Sequence, residues 1–290
     1  FSFLTFNVDG DDHNVYPYLL KAKEADYVAY AADNKGKDAQ GWDRFFHHDR
    51  FDCSKMDQWE RIFEYGDRKG MYLHFKTSEA ENCFKMDGGD LGPERKLYYR
   101  ELIARYGHHL ALNWNIGEES TQSTEQIVDI AAYIRSLDPY KHQVVLHTHG
   151  KDSDHEKHYT PLLGDASELT GLSMQTNQSD FSRVHGAVAK WVKASAATGK
   201  KWVVACDEPG DATHSLVTDA EDPAHDMARK NALWGTLMAG GAGVEWYFGY
   251  KHPESDLTCQ DWRSRENMWD QCRYAMEFFK DGDIPFWEMV

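Results

Sequence analysis

The feature that most constrains the fold is a regular alternation of short apolar segments with amphipathic ones. Seven apolar segments predict strands, at residues 3–8, 71–76, 110–116, 143–148, 171–176, 202–207 and 243–248. Most of them are too uniformly apolar for a sheet with one face in water, so we expect parallel strands that are covered on both faces.

Helical patterns with start and stop signals occupy the stretches between these strands. Ser123 and Gln126 have the spacing of a capping box ahead of an apolar stripe, and a second stripe runs from Val184 to Ser195 and stops at Gly199. A third helix is predicted between Ser54 and Gly70. Two further helices are predicted at residues 226–239 and 265–279.

Strands that alternate with helices predict a parallel α/β sheet, either doubly wound or closed as a (β/α)8 barrel. No low-complexity linker interrupts the chain, so we expect a single catalytic domain over residues 1–290. The TIM barrel is favoured because no glycine-rich phosphate loop follows a strand and because acidic and aromatic residues recur at several strand ends. Seven strands rather than eight indicate that the first barrel strand is missing, that 3–8 is the second, and that the chain is N-terminally truncated.

Charge and composition exclude several classes of partner. The 290 residues include 48 acidic and 32 basic residues and carry a formal charge of −16, so neither nucleic acid nor an anionic membrane is an expected partner. Aromatic residues make up 13% of the chain and include 10 Trp, which suits stacking on sugar rings. Among the five cysteines, Cys259 and Cys272 are the pair to test for a disulfide, with isolated buried thiols as the alternative.

The segment at residues 110–120 carries two adjacent carboxylates at the end of a predicted strand. Strand alternation places Asn113, Asn115 and Glu119 on one face and Trp114 and Glu118 on the other. The apolar face should contact the helices, so we expect Glu119 to point into the barrel mouth.

The segment at residues 201–210 ends in a second acid pair, Asp207 and Glu208. One interpretation is a solvated turn or a helix cap. The other is a carboxylate opposed to Glu119 across a barrel, the arrangement that cleavage of a glycosidic bond requires. Asp207 and Glu245 are the rival acids.

These segments resemble the large clan of retaining (β/α)8 glycoside hydrolases. Residues 114–119 (WNIGEE) are similar to the fourth-strand signature of that clan, 203–210 (VVACDEPG) to its seventh strand and 243–248 to its eighth. The resemblance implies double displacement with Glu119 as acid/base and Glu208 as nucleophile. Glu118 stands where the clan has an Asn that binds the sugar 2-hydroxyl.

Residues 51–60 and 70–75 further resemble secreted bacterial polysaccharide-degrading barrels that a β-sandwich module precedes. The expected substrate is therefore a poly- or oligosaccharide, such as an algal or plant galactan, and the expected location is secreted or periplasmic. The predicted loops at 21–50 and 150–168 would wall an extended cleft. The substrate-binding candidates are Glu118, His74, Lys76, His147, His149, Gln175, Asn177, Trp246, Tyr247, Trp262 and Trp42.

Two alternatives come from other functional classes. A metal-dependent barrel hydrolase would use His74, His147 and His149, but in those enzymes the paired histidines belong to the first strand, so sugar binding is favoured and neither metal nor cofactor is expected. A non-catalytic carbohydrate-binding barrel would depend on the aromatic residues alone. The sequence leaves the oligomeric state open.

Overall fold

A computed structural model describes the chain at residues 1–9, 15–33, 42–210, 215–249, 254–255 and 261–285. The chain forms two compact units. The first comprises residues 1–148 and 166–169, and the second comprises 149–165 and 170–290. Whether they act as the single domain expected from the sequence stays a prediction.

Within its described residues, the first unit contains four parallel strands and one antiparallel pair. The parallel strands follow the order β1 (Ser2–Leu4), β4 (Leu73–Lys76), β5 (Leu112–Asn115) and β6 (Gln143–Leu146). The antiparallel pair is β2 (Tyr18–Leu20) and β3 (Phe46–Phe51).

Four α-helices of the first unit lie within the described residues. They are α1 (Glu24–Asp33), α2 (Cys53–Arg68), α3 (Pro93–Tyr106) and α4 (Thr124–Leu137). The ring of Phe75 on β4 packs edge-on against the ring of Trp114 on β5 and contacts Phe63 of α2. Trp114 is fully buried, and its indole N–H donates to the Asp138 carboxylate 3.2 Å away, so this large polar ring is satisfied inside the core.

In the second unit, the residues that the structure describes form three parallel strands, in the order β7 (Gly171–Thr176), β8 (Val203–Pro209) and β9 (Gly243–Val244). Its helices are α5 (Asp152–Tyr159), α6 (Val184–Ala197), α7 (Gly235–Met238) and α8 (Glu266–Asp281), with a π-helical turn at Ala228–Trp234 leading into α7. Trp191 of α6 is buried and meets Tyr159 of α5 edge-on, which fixes α5 within this unit.

Short 3₁₀ turns connect several of these elements, at Trp42–Phe45, Ala80–Asn82, Asp87–Gly89, Thr160–Leu162, Gly164–Ala166 and Trp262–Arg265. Among the described residues, none of the helices has both the length and the apolar character needed to cross a bilayer.

The α/β class with parallel strands is confirmed, and all seven predicted strands occur in the described ranges. The Ser123 capping box and the left-handed Gly199 after α6 are also as expected. The helix predicted between Ser54 and Gly70 occurs as α2, and the Asp52 side chain caps its start by accepting from the backbone N–H of Lys55.

The two expected long loops were wrong. The stretch 21–50 contains α1 and most of β3, and the stretch 150–168 contains α5. The sequence of β3, FHHDRF, is polar at its centre because this strand pairs only with β2 and leaves side chains half exposed. The Cys259 member of the proposed disulfide lies outside the described residues.

Candidate functional site

In the first unit, polar side chains share one face at the carboxyl ends of the parallel strands. His74 pairs in register with Asn113, and Lys76 pairs with Asn115, so these four residues lie on the same side of β4 and β5. All four are buried. The polar face that alternation predicted for Asn113 and Asn115 is therefore confirmed.

Asn115 holds the polar face together. Its amide nitrogen donates to Nε2 of His74 over 3.0 Å, and its side-chain oxygen accepts from the backbone N–H of Gly117 over 3.1 Å. One side chain thus fixes a ring on β4 and the first residues of the loop that leaves β5.

That loop is anchored to both neighbouring strand ends. The N–H of Glu118 donates to the carbonyl of Ser78 after β4, and the N–H of Ser120 donates to the carbonyl of His147 after β6. The Thr148 hydroxyl also donates to the Ser120 carbonyl. Hydrogen bonds on both sides therefore position the two carboxylate-bearing residues.

Glu119 lies between these anchors in the left-handed backbone region, with a φ of +46°. A residue with a Cβ adopts this conformation only where surrounding contacts hold it, and such strained residues concentrate at functional sites. Its side chain is half-buried.

Glu118 forms an ion pair with Lys76, with 3.1 Å between Oε2 and Nζ. Lys76 belongs to the polar face, so the expectation that Glu118 points away from it was wrong. The physical reason is that β5 ends at Asn115, and the two-residue alternation of a strand does not extend through the following loop. Glu118 and Lys76 are thus brought together, as two substrate-binding candidates.

His147 follows β6 and is fully buried. His149, predicted with it as a sugar-binding pair, is half-buried and belongs to the second unit. One ring nitrogen of His74 is engaged by Asn115. The roles of these histidines stay predictions.

In the second unit, a β-bulge in β8 places Glu208. The registers run Met174 with Cys206 and then Gln175 with Glu208, so Asp207 is the extra residue of the bulge. Bulges occur next to active sites, where they redirect a side chain. Without it, Gln175 would pair with Asp207, so the bulge is what sets Glu208 beside Gln175.

The surroundings of Glu208 are polar and enclosed. Gln175 is 8% exposed, and its Oε1 accepts no hydrogen bond from the described residues. Asp207 is 7% exposed, while Glu208 itself is half-buried. Burial, followed by the charge of Asp207, raises the pKa of the Cys206 thiol, which keeps this sulfur protonated.

Asn177, just beyond β7, packs directly on a glycine. A Cβ at Gly150 would come within 2.2 Å of Oδ1 of Asn177, so a side chain at 150 would displace that amide. Both residues lie in the second unit, and Asn177 remains a candidate sugar ligand near the carboxyl end of β7.

The aromatic candidates differ in their surroundings. Trp246 is half-buried, and its indole N–H donates to Sγ of Cys272 on α8 over 3.2 Å, while Trp262 is 62% exposed. Tyr247 is half-buried, and its carbonyl accepts from Leu216. The side chain of Trp42 lies outside the described residues.

Sequence reasoning did not name Ser78 or the bulge at Asp207 as features that shape the site. Ser78 acts through its backbone carbonyl, which any residue would supply, so its identity carries no signal. The bulge leaves no compositional signature either. Asn113 and Asn115 were placed on the polar face but not named as site residues, although two asparagines inside a buried strand are a usable signal.

No family model matches this sequence, and no curated protein matches it. Solved structures do match it. A provisionally assigned glycoside hydrolase from Bacteroides vulgatus ATCC 8482 matches 96% of this chain with a TM-score of 0.62 and 15% identity. The present chain spans about half, 51%, of the length of that protein.

Two further matches are complexes with oligosaccharides. Cel5A of Thermotoga maritima, solved with mannotriose, has a TM-score of 0.52 and 11% identity, over 77% of this chain and 79% of its own. XEG5B, a GH5 xyloglucan-specific β-1,4-glucanase from a ruminal metagenomic library, has a TM-score of 0.50 and 10% identity, over 77% and 78%. At these identities the comparison shows the fold alone, so the chain shares the α/β fold of these solved structures.

Proposed function

We propose that the protein is a retaining glycoside hydrolase that cleaves a poly- or oligosaccharide by double displacement. One observation carries the proposal: Glu119 and Glu208 each follow or end a parallel strand at its carboxyl end, in a fold shared with solved glycoside hydrolases. Active sites of (β/α)8 enzymes lie at this end of the strands.

Glu208 is the proposed nucleophile. Its carboxylate attacks the anomeric carbon, forming an ester bond to the sugar while the bond to the leaving oxygen breaks. The bulge at Asp207 supports this role because it sets Glu208 beside Gln175, whose side-chain oxygen is able to accept a hydrogen bond from a sugar hydroxyl.

Glu119 is the proposed acid/base. It gives its proton to the leaving oxygen in the first step and takes a proton from the attacking water in the second. Its support is the anchored loop: hydrogen bonds from the residues on either side of Glu119 hold its backbone in the left-handed region. A fixed backbone keeps the carboxyl group oriented during both proton transfers.

The Glu118–Lys76 pair and the aromatic residues are proposed to bind sugar hydroxyls and ring faces. The substrate class we propose is a plant or algal polysaccharide, with galactans among the candidates, and the enzyme is proposed to be secreted or periplasmic. The saccharide complexes of Cel5A and XEG5B support a carbohydrate ligand in this fold.

A panel of plant and algal polysaccharides, scored by release of reducing ends, tests the proposal. We expect hydrolysis of at least one polysaccharide, loss of activity in Glu208→Gln, and a loss of roughly 10²- to 10⁴-fold in Glu119→Gln on unactivated substrates. Glu245→Gln, which alters the acid after β9, is the matched control and should keep activity. Turnover that is equal in Glu208→Gln and the wild type would contradict the proposal, and turnover that chelators abolish would favour a metal-dependent hydrolase.

A further inference from the structure

A second cluster of titratable side chains lies in the first unit, away from the proposed catalytic residues. Glu60 of α2 meets His108 and His109, which occupy the turn between α3 and β5. Asp67, two turns further along α2, also contacts His109. This group lies before β5 begins, whereas the catalytic candidates of this unit follow the strand ends.

The three potential ligand atoms are close together. Oε1 of Glu60 lies 3.1 Å from Nε2 of His108, and Oε2 lies 3.3 Å from Nε2 of His109. Around a tetrahedral Zn²⁺ with bonds of 2.0 to 2.2 Å, neighbouring ligand atoms are separated by about 3.3 Å. One ligand atom from each of the three residues lies within 4.8 Å of the others, so all three could bind a single ion after a modest rearrangement.

The other nitrogen of each histidine is already engaged. Nδ1 of His108 lies 2.9 Å from the Arg105 carbonyl, and Nδ1 of His109 lies 2.6 Å from the Asp67 carboxylate. A carbonyl oxygen only accepts, and an ionised carboxylate only accepts, so both Nδ1 atoms carry hydrogen.

With Nδ1 engaged in this way, each ring turns its Nε2 toward an oxygen of Glu60, where both Nε2 atoms are placed to act as ligands. Metal-binding histidines characteristically donate from the other nitrogen to a carboxylate or a carbonyl, which fixes the ring orientation. Asp67 and the Arg105 carbonyl occupy those supporting positions.

Exposure provides both rigidity and access. The His109 side chain is 1% exposed and meets the ring of Phe63 edge-on, whereas the His108 side chain is 53% exposed. An ion therefore reaches the cluster from solvent on the His108 side.

We propose that Glu60, His108 and His109 bind one Zn²⁺ ion, with Asp67 orienting His109. Two imidazoles and a carboxylate are a donor set that suits Zn²⁺ better than Ca²⁺ or Mg²⁺, which prefer oxygen. The ion links α2 to the segment that enters β5, so its role is to stabilise the first unit, independently of the glycosidase proposal.

The test is Co²⁺ and Zn²⁺ binding by the whole chain, purified without a histidine tag. The wild type should bind one more Co²⁺ ion than His108→Gln, and the visible d–d absorption of a low-symmetry Co²⁺ site should be lost in that variant. Asp67→Asn should bind Zn²⁺ about 10- to 100-fold more weakly. The control His47→Gln, which alters a half-buried histidine on β3, should bind as the wild type does.

Thermal unfolding supplies a second readout. Excess Zn²⁺ should raise the midpoint of the wild type by a few degrees and leave that of His108→Gln unchanged, because only a folded state that binds the ion is stabilised. We expect His108→Gln to fold, because the His108 side chain is exposed, and far-UV circular dichroism checks this. Equal Co²⁺ uptake and equal spectra in the wild type and His108→Gln, or no uptake by the wild type, would overturn the proposal and leave a purely hydrogen-bonded cluster.

Discussion

Gln175 and Glu208 are register partners across β7 and β8, and they are partners only because Asp207 is inserted as a bulge between Cys206 and Glu208. The pairing puts a buried amide, whose oxygen accepts no hydrogen bond from the described residues, on the same face as the proposed nucleophile. The amide is therefore available to a sugar hydroxyl.

Replacing Gln175 with Ala should lower kcat/KM on the best polysaccharide by about tenfold, since one hydrogen bond to a substrate hydroxyl contributes on the order of 1 kcal/mol. Steady-state kinetics measure the effect. Gln178→Ala, at an exposed position just beyond β7, is the matched control and should leave kcat/KM unchanged. An unaltered kcat/KM in Gln175→Ala would show that Gln175 does not bind the substrate.

The contributions of Lys76 and Glu118 to the free energy of unfolding should be coupled. Lys76→Met leaves the partly buried Glu118 carboxylate without its cation, so the free energy of unfolding should fall by about 2 kcal/mol, below the full value for a buried pair because Glu118 is 22% exposed. Urea unfolding of both single variants and of Lys76→Met/Glu118→Gln completes a double-mutant cycle. Strictly additive effects would show that the two side chains do not interact.

Asn115→Ala should reduce both stability and turnover. The substitution removes the acceptor of the Gly117 N–H and the hydrogen bond to Nε2 of His74, and a buried donor left unsatisfied costs roughly 1 to 3 kcal/mol. It also loosens the loop that carries Glu119, so kcat should fall about 10- to 100-fold. Asn231→Ala, which removes an exposed bond to the Asp180 carbonyl, is the control. If folded Asn115→Ala has the kcat of the wild type, the hydrogen bonds of Asn115 do not contribute to catalysis.

His155 should make the stability of the protein depend on pH. Burial lowers its pKa to about 4, the Arg183 charge adds to this, and the Asp152 charge opposes it. His155 therefore binds a proton near pH 6.5 in the unfolded state but only near pH 4 in the folded state. The contribution of His155 is fully present above pH 6.5 and is lost as the pH falls toward 4.

The resulting change is on the order of 3 kcal/mol between pH 7 and pH 4. Urea unfolding at several pH values should show a smaller loss of stability on acidification in His155→Gln than in the wild type. Parallel pH profiles for the two proteins would refute the assignment of this dependence to His155.

The strands could be predicted because their signal is local. Residues 171–176 form β7 as expected, since a buried parallel strand is apolar along its whole length. The β2–β3 pair escaped prediction because its half-exposed side chains lack that pattern. The orientation of Glu118 failed for a different reason: strand parity was extended beyond Asn115, where loop hydrogen bonds to Ser78 and His147 determine the backbone.

The candidate site was predictable in its residue types but not in its contacts. The carboxylates at 118, 119, 207 and 208 stand out in the sequence. The bulge at Asp207 and the hydrogen bond from Asn115 to His74 depend on the register between strands, which the sequence does not display. The same limit hid the cluster of Glu60, His108 and His109, because Glu60 and His109 are 49 positions apart in the sequence. Spacing rules detect ligands within one element and not ligands that two elements bring together.

The nucleophile assignment is the central claim, and chemical rescue of Glu208→Gly tests it most directly. Removing the carboxylate should abolish hydrolysis of an activated glycoside of the preferred sugar. Added azide should then occupy the vacated space and restore turnover, because it attacks the anomeric carbon in place of Glu208. The product should be the glycosyl azide of inverted configuration, identified by NMR. A folded Glu208→Gly variant that retains hydrolysis, or that azide fails to rescue on an activated substrate, would contradict the assignment.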